Sequence, residues 1–326
     1  MPPTDKIPTP LARRIGQERG IALMAVLWLL VILMALASEF AFSMKTEVNA
    51  TRNYKDDLEA YFLAKSGVQL AMAEIIRKAK FHSIHPELGW ISGIPAQSGT
   101  SVSAGEEETQ EFFEINRDDI ELGQGTVTYS ITDENGKIGV NTASREAIIK
   151  VLAALGLEVG QDRDIIADSI LDWIDDNDTH RLNGAENDYY QSQTPPYKAK
   201  NGRIESINEL LLVRGVTPEL FYGSDEIGAG LKDLFTIYNV RQTNPNTMSA
   251  AALRVFYSGE QMSNILSQKT AKGYFNNSTS THFRVRSTGS IPGGAEHSIE
   301  AVFQKTLVDG KPALTTLFWD DNSFSE

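Results

Sequence analysis

Cysteine is absent from the 326 residues. No disulfide, thiolate nucleophile, redox thiol or Cys-type zinc site can form. An exported domain of this kind needs a good core or another staple. Histidine is scarce: His82, His85, His180, His282 and His297 are scattered, and none forms an HExxH-like pair, which argues against a zinc hydrolase. Positive charge is in deficit too, with a formal net charge of -13. That sign repels phosphate backbones and anionic lipid heads. There is no Gly-rich phosphate loop and no G-x-S-x-G. Clustered carboxylates therefore have no companion nucleophile, and no enzyme is expected. What remains is ordinary for a chain with a real core, 41% hydrophobic and 22% charged, long enough for one large domain or two modest ones.

The longest apolar run sits near the N-terminus. Residues 1–20 are polar and carry Lys6, Arg13, Arg14 and Arg19, whereas Ile21 to Ser38 is uncharged and almost wholly apolar. Eighteen residues at about 1.5 Å rise come to about 27 Å, close to the hydrocarbon thickness of a bilayer. Positive charge before the span keeps the N-terminus in the cytoplasm and sends the rest across. Ala35, Leu36 and Ala37 make a poor signal-peptidase site, so hydropathy alone reads as an uncleaved anchor. From Met44 to about Lys80 there is no proline, and Gly67 is the single glycine. Val48, Tyr54, Leu58, Tyr61, Phe62, Val68, Met72, Ile75 and Ile76 recur at helical spacing. One helix is expected from Ile21 to about Lys78, its second half covering a sheet of the same chain.

Arg19, Gly20 and Ile21 followed by the apolar run resemble the type IV pilin and type II secretion pseudopilin family. The resemblance implies a leader cut between Gly20 and Ile21 by prepilin peptidase, methylation of the new N-terminus, and a helix that becomes a fibre spine. The family's fifth mature position is usually glutamate, pairing with the N-terminal ammonium of the preceding subunit; here it is Ala25. A buried carboxylate is tolerable only when paired. A subunit with nothing ahead of it has no use for one, so Ala25 implies the fibre tip. Within the family this departure resembles the general secretion pathway protein K group.

Beyond the helix, Glu111–Ile115 and Thr126–Thr132 alternate as strands, with Gly123 and Gly125 as turn material between them. Residues 95–110, rich in Ser, Gly and Glu, read as a loop. His282–Ser287, His297–Thr306 and Leu314–Trp319 read as further strands, two of them joined by a turn at Pro292-Gly293-Gly294. The region between is mostly helical. The expected fold is α+β: a pilin-like long N-terminal helix packed on an antiparallel sheet, with a large helical insertion. Its parts are a leader (1–20), a transmembrane segment (21–43), the pilin-like helix and first strands (44–137), the insertion (138–270) and closing strands (271–326). In the insertion, residues 139–157 and 244–259 parallel one another, each with Asn-Thr before a helix as expected N-cap chemistry. ESINELLLVRGVTPELF at 205–221 adds a helix and a turn at Arg214-Gly215-Val216. These units resemble helix-hairpin-helix (SAM-like) domains, whose backbone amides grip DNA. The alternative is therefore a membrane-anchored DNA-binding or uptake protein. The acids at 162–188, faced only by Arg163 and Arg181, argue against it.

DSILDWIDDNDTHRLNGAENDYY at 168–190 is the sharpest feature. Asp168 and Asp172 lie four apart on a helix, then Asp175, Asp176, Asn177 and Asp178 crowd where the helix must end, and like charges this close repel unless a cation joins them. Ca²⁺ takes six to eight oxygens from such groups. Counting Asp175 as the first position, Asn177, Thr179 and Glu186 fall at three, five and twelve of an EF-hand loop, but His180 occupies the place of its invariant glycine. An irregular loop is expected instead, turned at Asn183-Gly184 so that Glu186 and Asp188 meet the earlier aspartates. Asp172-Trp173-Ile174-Asp175, Gly184-Ala185-Glu186, Tyr189-Tyr190, Pro195-Pro196-Tyr197 and Leu212–Val216 again resemble the protein K family. The resemblance implies Ca²⁺ in the insertion, carried over to Asp175, Asn177, Asp178, Glu186 and Asp188, with Asp172 and Asp176 in support. It also implies an inner-membrane, single-pass protein with a periplasmic ectodomain. Its expected partners are the minor pseudopilins I and J in a heterotrimer, the major pseudopilin and other secretion components; nucleic acid is not expected.

Overall fold

The computed structural model describes residues 16–76, 94–95, 112–113, 117–224, 228–240, 243–272 and 280–321. The expected leader up to residue 15, most of the loop at 95–110, the ends of the strand at 111–115 and the helix beyond Ile76 lie outside the described residues. The chain divides into two units, Met1–Leu58 and Glu59–Glu326.

The first unit is the helical start of α1, which runs unbroken over Gly16–Ile76. Its residues from Ile21 to Phe42 are exposed all round, apolar side chains included. A helix that is apolar on every side needs an apolar surrounding. After the run the surface turns polar, with Arg52 and Asp56 paired at one helical turn.

In the second unit the rest of α1 meets a sheet. Two short strands, β1 (Ile94–Pro95) and β2 (Phe112–Phe113), pair antiparallel. The main sheet holds β3 (Ile120–Leu122), β4 (Gly125–Asp133), β7 (His282–Ile291), β8 (Ala295–Val308) and β9 (Lys311–Asp320), in the order β3-β4-β7-β8-β9 and antiparallel throughout. Strand β4 alternates strictly between buried and half-buried residues, the period-2 signature of a sheet with one face on a core. Val127, Tyr129 and Ile131 of β4 join Phe283, Val285, Ile299, Ala301 and Phe303 on that face. Ala64, Val68, Ala71 and Ile75 of α1, recurring every three or four residues along one stripe, close over them with Leu63 alongside. Each large side chain so buried contributes about 1.5–3 kcal/mol. The approach is tight enough to need glycine on both partners. A Cβ at Gly67 would stand 2.1 Å from Ser287 Oγ, and one at Gly289 would stand 2.3 Å from the Ala60 carbonyl oxygen. Strand β3 is absent from the sequence reading: at three residues, with Gly123 turning it back onto β4, it is too short to show a period.

Between β4 and β7 the chain runs through the expected insertion. Its elements are β5 (Ile138–Gly139), α2 (Arg145–Ala154), α3 (Gln161–Ile174), α4 (Asn187–Gln191), α5 (Pro218–Tyr222), α6 (Leu231–Leu234), β6 (Phe235–Thr236), α7 (Ala250–Phe256) and α8 (Gly259–Lys272). β5 and β6 pair in parallel, a small sheet within a region read as helical. Ile207–Leu212 is a 3₁₀ segment, with Ser206 and Glu209 forming a capping box at its start. The two parallel stretches pack together through α2 and α7. Their caps are not Asn-Thr. Ser144 accepts the Ala147 amide and Ser249 the Ala252 amide, two residues further on. Asn141 is drawn away by the Ile204 amide and the Ile204 and Ile237 carbonyls.

The insertion enters and leaves through one buried polar knot. Asp133, at the end of β4, accepts the Asn135 amide at 2.8 Å, Asn244 Nδ2 at 2.9 Å, Thr247 Oγ1 at 2.7 Å and the Ser280 hydroxyl. Asn135 Oδ1 in turn accepts the amides of Thr281 and His282, where β7 begins. Glu134 beside it is fully buried against Arg284 and Lys137. Burial alone would push Glu134 up, but the two cations and the Thr236 hydroxyl outweigh it and hold the carboxyl at about 2.

Candidate cation site

Helix α3 carries the first acids. Leu171, Trp173 and Ile174 pack into the insertion core, which fixes the phase of the helix and leaves Asp168 and Asp172 buried. Trp173 meets Tyr190 edge-on at 5.1 Å, and Tyr190 lies 5.3 Å from Tyr197. The returning segment is therefore pinned by aromatic packing. Asp175 ends α3 in extended conformation. The loop then folds on itself: Asn177 donates to Asp175 Oδ1 at 2.9 Å and accepts the Thr179 amide at 2.9 Å.

One oxygen from each of Asp172, Asp175 and Glu186 lies within 4.8 Å of the others. Asp172 is 0% and Glu186 2% exposed. Glu186 was expected to return to the helix end, and it does. Neither of its carboxylate oxygens has a hydrogen-bond partner. Burial, and then the charges of Asp172, Asp175 and Asp178, push its carboxyl up to about 7. Burial raises Asp172 as well, against the pull of Arg181. A dry carboxylate among like charges is costly, and a cation removes the cost.

The other expected ligands are placed differently. Asp178 accepts from Asn187 at 2.6 Å and Asn201 at 2.9 Å, and so ties the loop to the strands of chain around it. Asp176 and Asp188 are exposed and lie outside the three-carboxylate group. Asp188 sits two residues past Glu186, in the first turn of α4.

Three features of the site are not readable from motif spacing. Gly184 owes its identity to proximity rather than to turn geometry, since a Cβ there would stand 1.8 Å from Asp172 Oδ2. Asp168 is bound by Arg145 at 2.6 Å and by Asn183 at 3.2 Å, and these partners outweigh burial and hold its carboxyl low. Arg214 donates to the Gly184 carbonyl at 3.1 Å and lies 4.7 Å over the Tyr189 ring. That last contact also bears on the DNA alternative. At the Arg214-Gly215-Val216 turn the arginine is spent on the acidic loop. A Cβ on Gly215 would stand 2.7 Å from Ile166 Cγ1, so the turn is packed against α3. Nothing in this geometry favours a phosphate grip.

Comparison with known proteins follows the same lines. A family model described as Type II secretion system (T2SS), protein K matches residues 128–222, which include most of β4, all of α3 and the whole acidic loop. A putative type II secretion system protein K of Escherichia coli (strain K12) is 29% identical over 213 residues, 63% of this chain and 60% of that protein. Type II secretion system protein K of Klebsiella pneumoniae is 26% identical, covering 75% of this chain and 72% of its own. That of Aeromonas hydrophila is 26% identical, covering 87% and 85%. Against the first of these relatives, then, the chain spans less than two thirds of the partner's length. Among solved structures, the crystal structure of the GspK-GspI-GspJ complex from the enterotoxigenic Escherichia coli Type 2 Secretion System contains a chain with a TM-score of 0.54 at 17% identity. The match covers 85% of this chain and 100% of that one, a likeness of fold.

Proposed function

We propose that this chain, a relative of type II secretion system protein K, is a minor pseudopilin that takes the leading place in a secretion pseudopilus. The observation that carries this reading is α1. A single helix passes from an apolar stretch exposed on all sides into a stripe buried under an antiparallel sheet. A stem of that kind serves assembly within a membrane. The relatives and the fold support the same role.

Maturation begins with prepilin peptidase cutting after Gly20. Gly20 and Ile21 are both exposed. The mature N-terminus is methylated, and the helix stands in the inner membrane with the remaining chain in the periplasm. Ala25 leaves no carboxylate to seek an ammonium ahead, which suits the first position. Pseudopilins of the I and J kinds are the partners, a choice supported by the complex in which the similar fold was solved. The chain acts by assembly and not by catalysis.

Calcium completes the insertion. Asp172, Asp175 and Glu186 hold the ion, with Asn177 and Asp178 at the rim of the loop. The unpartnered oxygens of Glu186 support this, because hard oxygen donors at a helix end suit Ca²⁺. The ion ties down a loop that no disulfide can hold.

The test is co-expression of the full chain with I- and J-type pseudopilins, with and without prepilin peptidase, in detergent. The expected result is one complex in which this chain has lost residues 1–20 and gained a methyl group by intact mass. An uncut chain in the presence of peptidase, or free I and J at equal expression, would overturn the assignment.

A further inference from the structure

Arg181 sits among the acids that the calcium reading uses. Its Nη1 donates to Asp172 Oδ1 at 2.5 Å and to Asp175 Oδ2 at 2.6 Å, so a single nitrogen bridges two of the three clustered carboxylates. The third, Glu186, is reached by no donor. The guanidinium thus neutralises part of the group and leaves Glu186 without a donor.

We infer that Arg181 is a built-in competitor of the divalent cation for Asp172 and Asp175, and so sets how tightly the loop holds its ion. The inference rests on the calcium reading above. An ion bound by Asp172, Asp175 and Glu186 together shares two of its carboxylates with Nη1, which already takes one oxygen of each aspartate. A positively charged nitrogen and Ca²⁺ repel one another across such distances. Arg181 can yield without releasing the loop. Its side chain is 38% exposed, against 0% for Asp172. Its backbone amide donates separately to Asp172 Oδ2 at 3.0 Å, a bond that does not depend on where the guanidinium goes. The neighbouring arginines do not share this position. Arg145 holds Asp164 and Asp168, and Arg214 holds the Gly184 carbonyl. Competition of this kind has a use in a loop without disulfides. The carboxylates stay partly neutralised while the chain folds, and the ion enters a loop already shaped.

The experiment is calorimetric titration of CaCl₂ into the full chain in detergent after chelator treatment, for wild type, Arg181→Gln and Arg181→Lys. Losing a charge-assisted competitor tightens binding, so Arg181→Gln is expected to show a Kd roughly tenfold lower at unchanged stoichiometry. Lysine lacks the planar fork, so Arg181→Lys falls between the two. The rise in Tm on adding calcium is larger for Arg181→Gln than for wild type. An equal or weaker Kd in either variant, with wild-type circular dichroism, overturns the inference and leaves the calcium site standing. If Arg181→Gln does not fold, Arg181→Lys carries the same decision alone. No heat of binding in any of the three chains overturns the calcium reading and this inference with it.

Discussion

Two buried glutamates mark regions of the second unit built on different terms. Glu74, on α1 beneath the sheet, is 5% exposed, and Glu186, in the insertion, is 2% exposed. Glu74 is fully served by its own chain. Arg117 reaches both oxygens through two nitrogens, and Tyr129 adds its hydroxyl. That ion pair closes a layer otherwise made of apolar side chains and two close glycine contacts. Glu186 has comparable burial and no donor. Its nearest cation, Arg181, is committed to the neighbouring aspartates. The sheet region thus answers its buried charge from within, whereas the insertion leaves one buried carboxylate without a donor. Burial of a charge has opposite meanings in the two places: structural closure in one, an unanswered carboxylate in the other.

Removing each carboxylate should break that contrast cleanly. Glu74→Ala strands Arg117 beneath the sheet and is expected to cost about 3–5 kcal/mol in urea unfolding, whether calcium or chelator is present. A cost that changed with calcium would erase the distinction between the regions. Acid probes the joint between them. Glu134 titrates at about 2 in the folded chain against an ordinary 4.5. A depressed carboxyl contributes stability that is present above 4.5 and lost as pH falls from there through about 2. Wild type should therefore lose roughly 3 kcal/mol more than Glu134→Gln across that window, read as a steeper fall in Tm with acid.

Chelation should act on the insertion alone. Calcium at a hundredfold excess over Kd stabilises by about 2.7 kcal/mol. Glu186→Gln is expected to abolish this response while matching or exceeding wild-type stability in chelator, since a buried unpaired charge has gone. A Glu186→Gln chain that still gains stability from calcium would remove Glu186 from the site. The smallest effects belong to the paired units of the insertion. Ser144→Ala and Ser249→Ala should each cost about 1 kcal/mol by denaturant midpoint, and to a similar degree if the two units are equivalent.

Legibility followed the range of the forces involved. The helix, β4 and the three closing strands were visible because a stripe or an alternation is written along a continuous segment. Strand β3 and the β5–β6 pair were not, because two or three residues carry no period and pair only through partners far away in sequence. At the site, the resemblance put Asp175 and Glu186 first, beside Asn177, Asp178 and Asp188, with Asp172 and Asp176 only in support, whereas the fold brings Asp172, Asp175 and Glu186 together. Counting acids along a loop does not say which way each side chain leaves the backbone. Arg181 was visible merely as one base among many acids, and Gly184 merely as turn material.

Sequence alone determined the apolar run with its Arg19-Gly20 boundary, the helix that continues from it, the position of Ala25 and the crowding of acids at one helix end. These are properties of neighbouring residues, set by local periodicity and charge. Tertiary structure alone decided that Glu74 is answered and Glu186 is not, that one arginine bridges two aspartates, and that Asp133 knots the insertion shut against Asn244, Thr247 and Ser280. Those outcomes depend on which donors arrive from elsewhere when the core closes, and burial makes every missing donor costly.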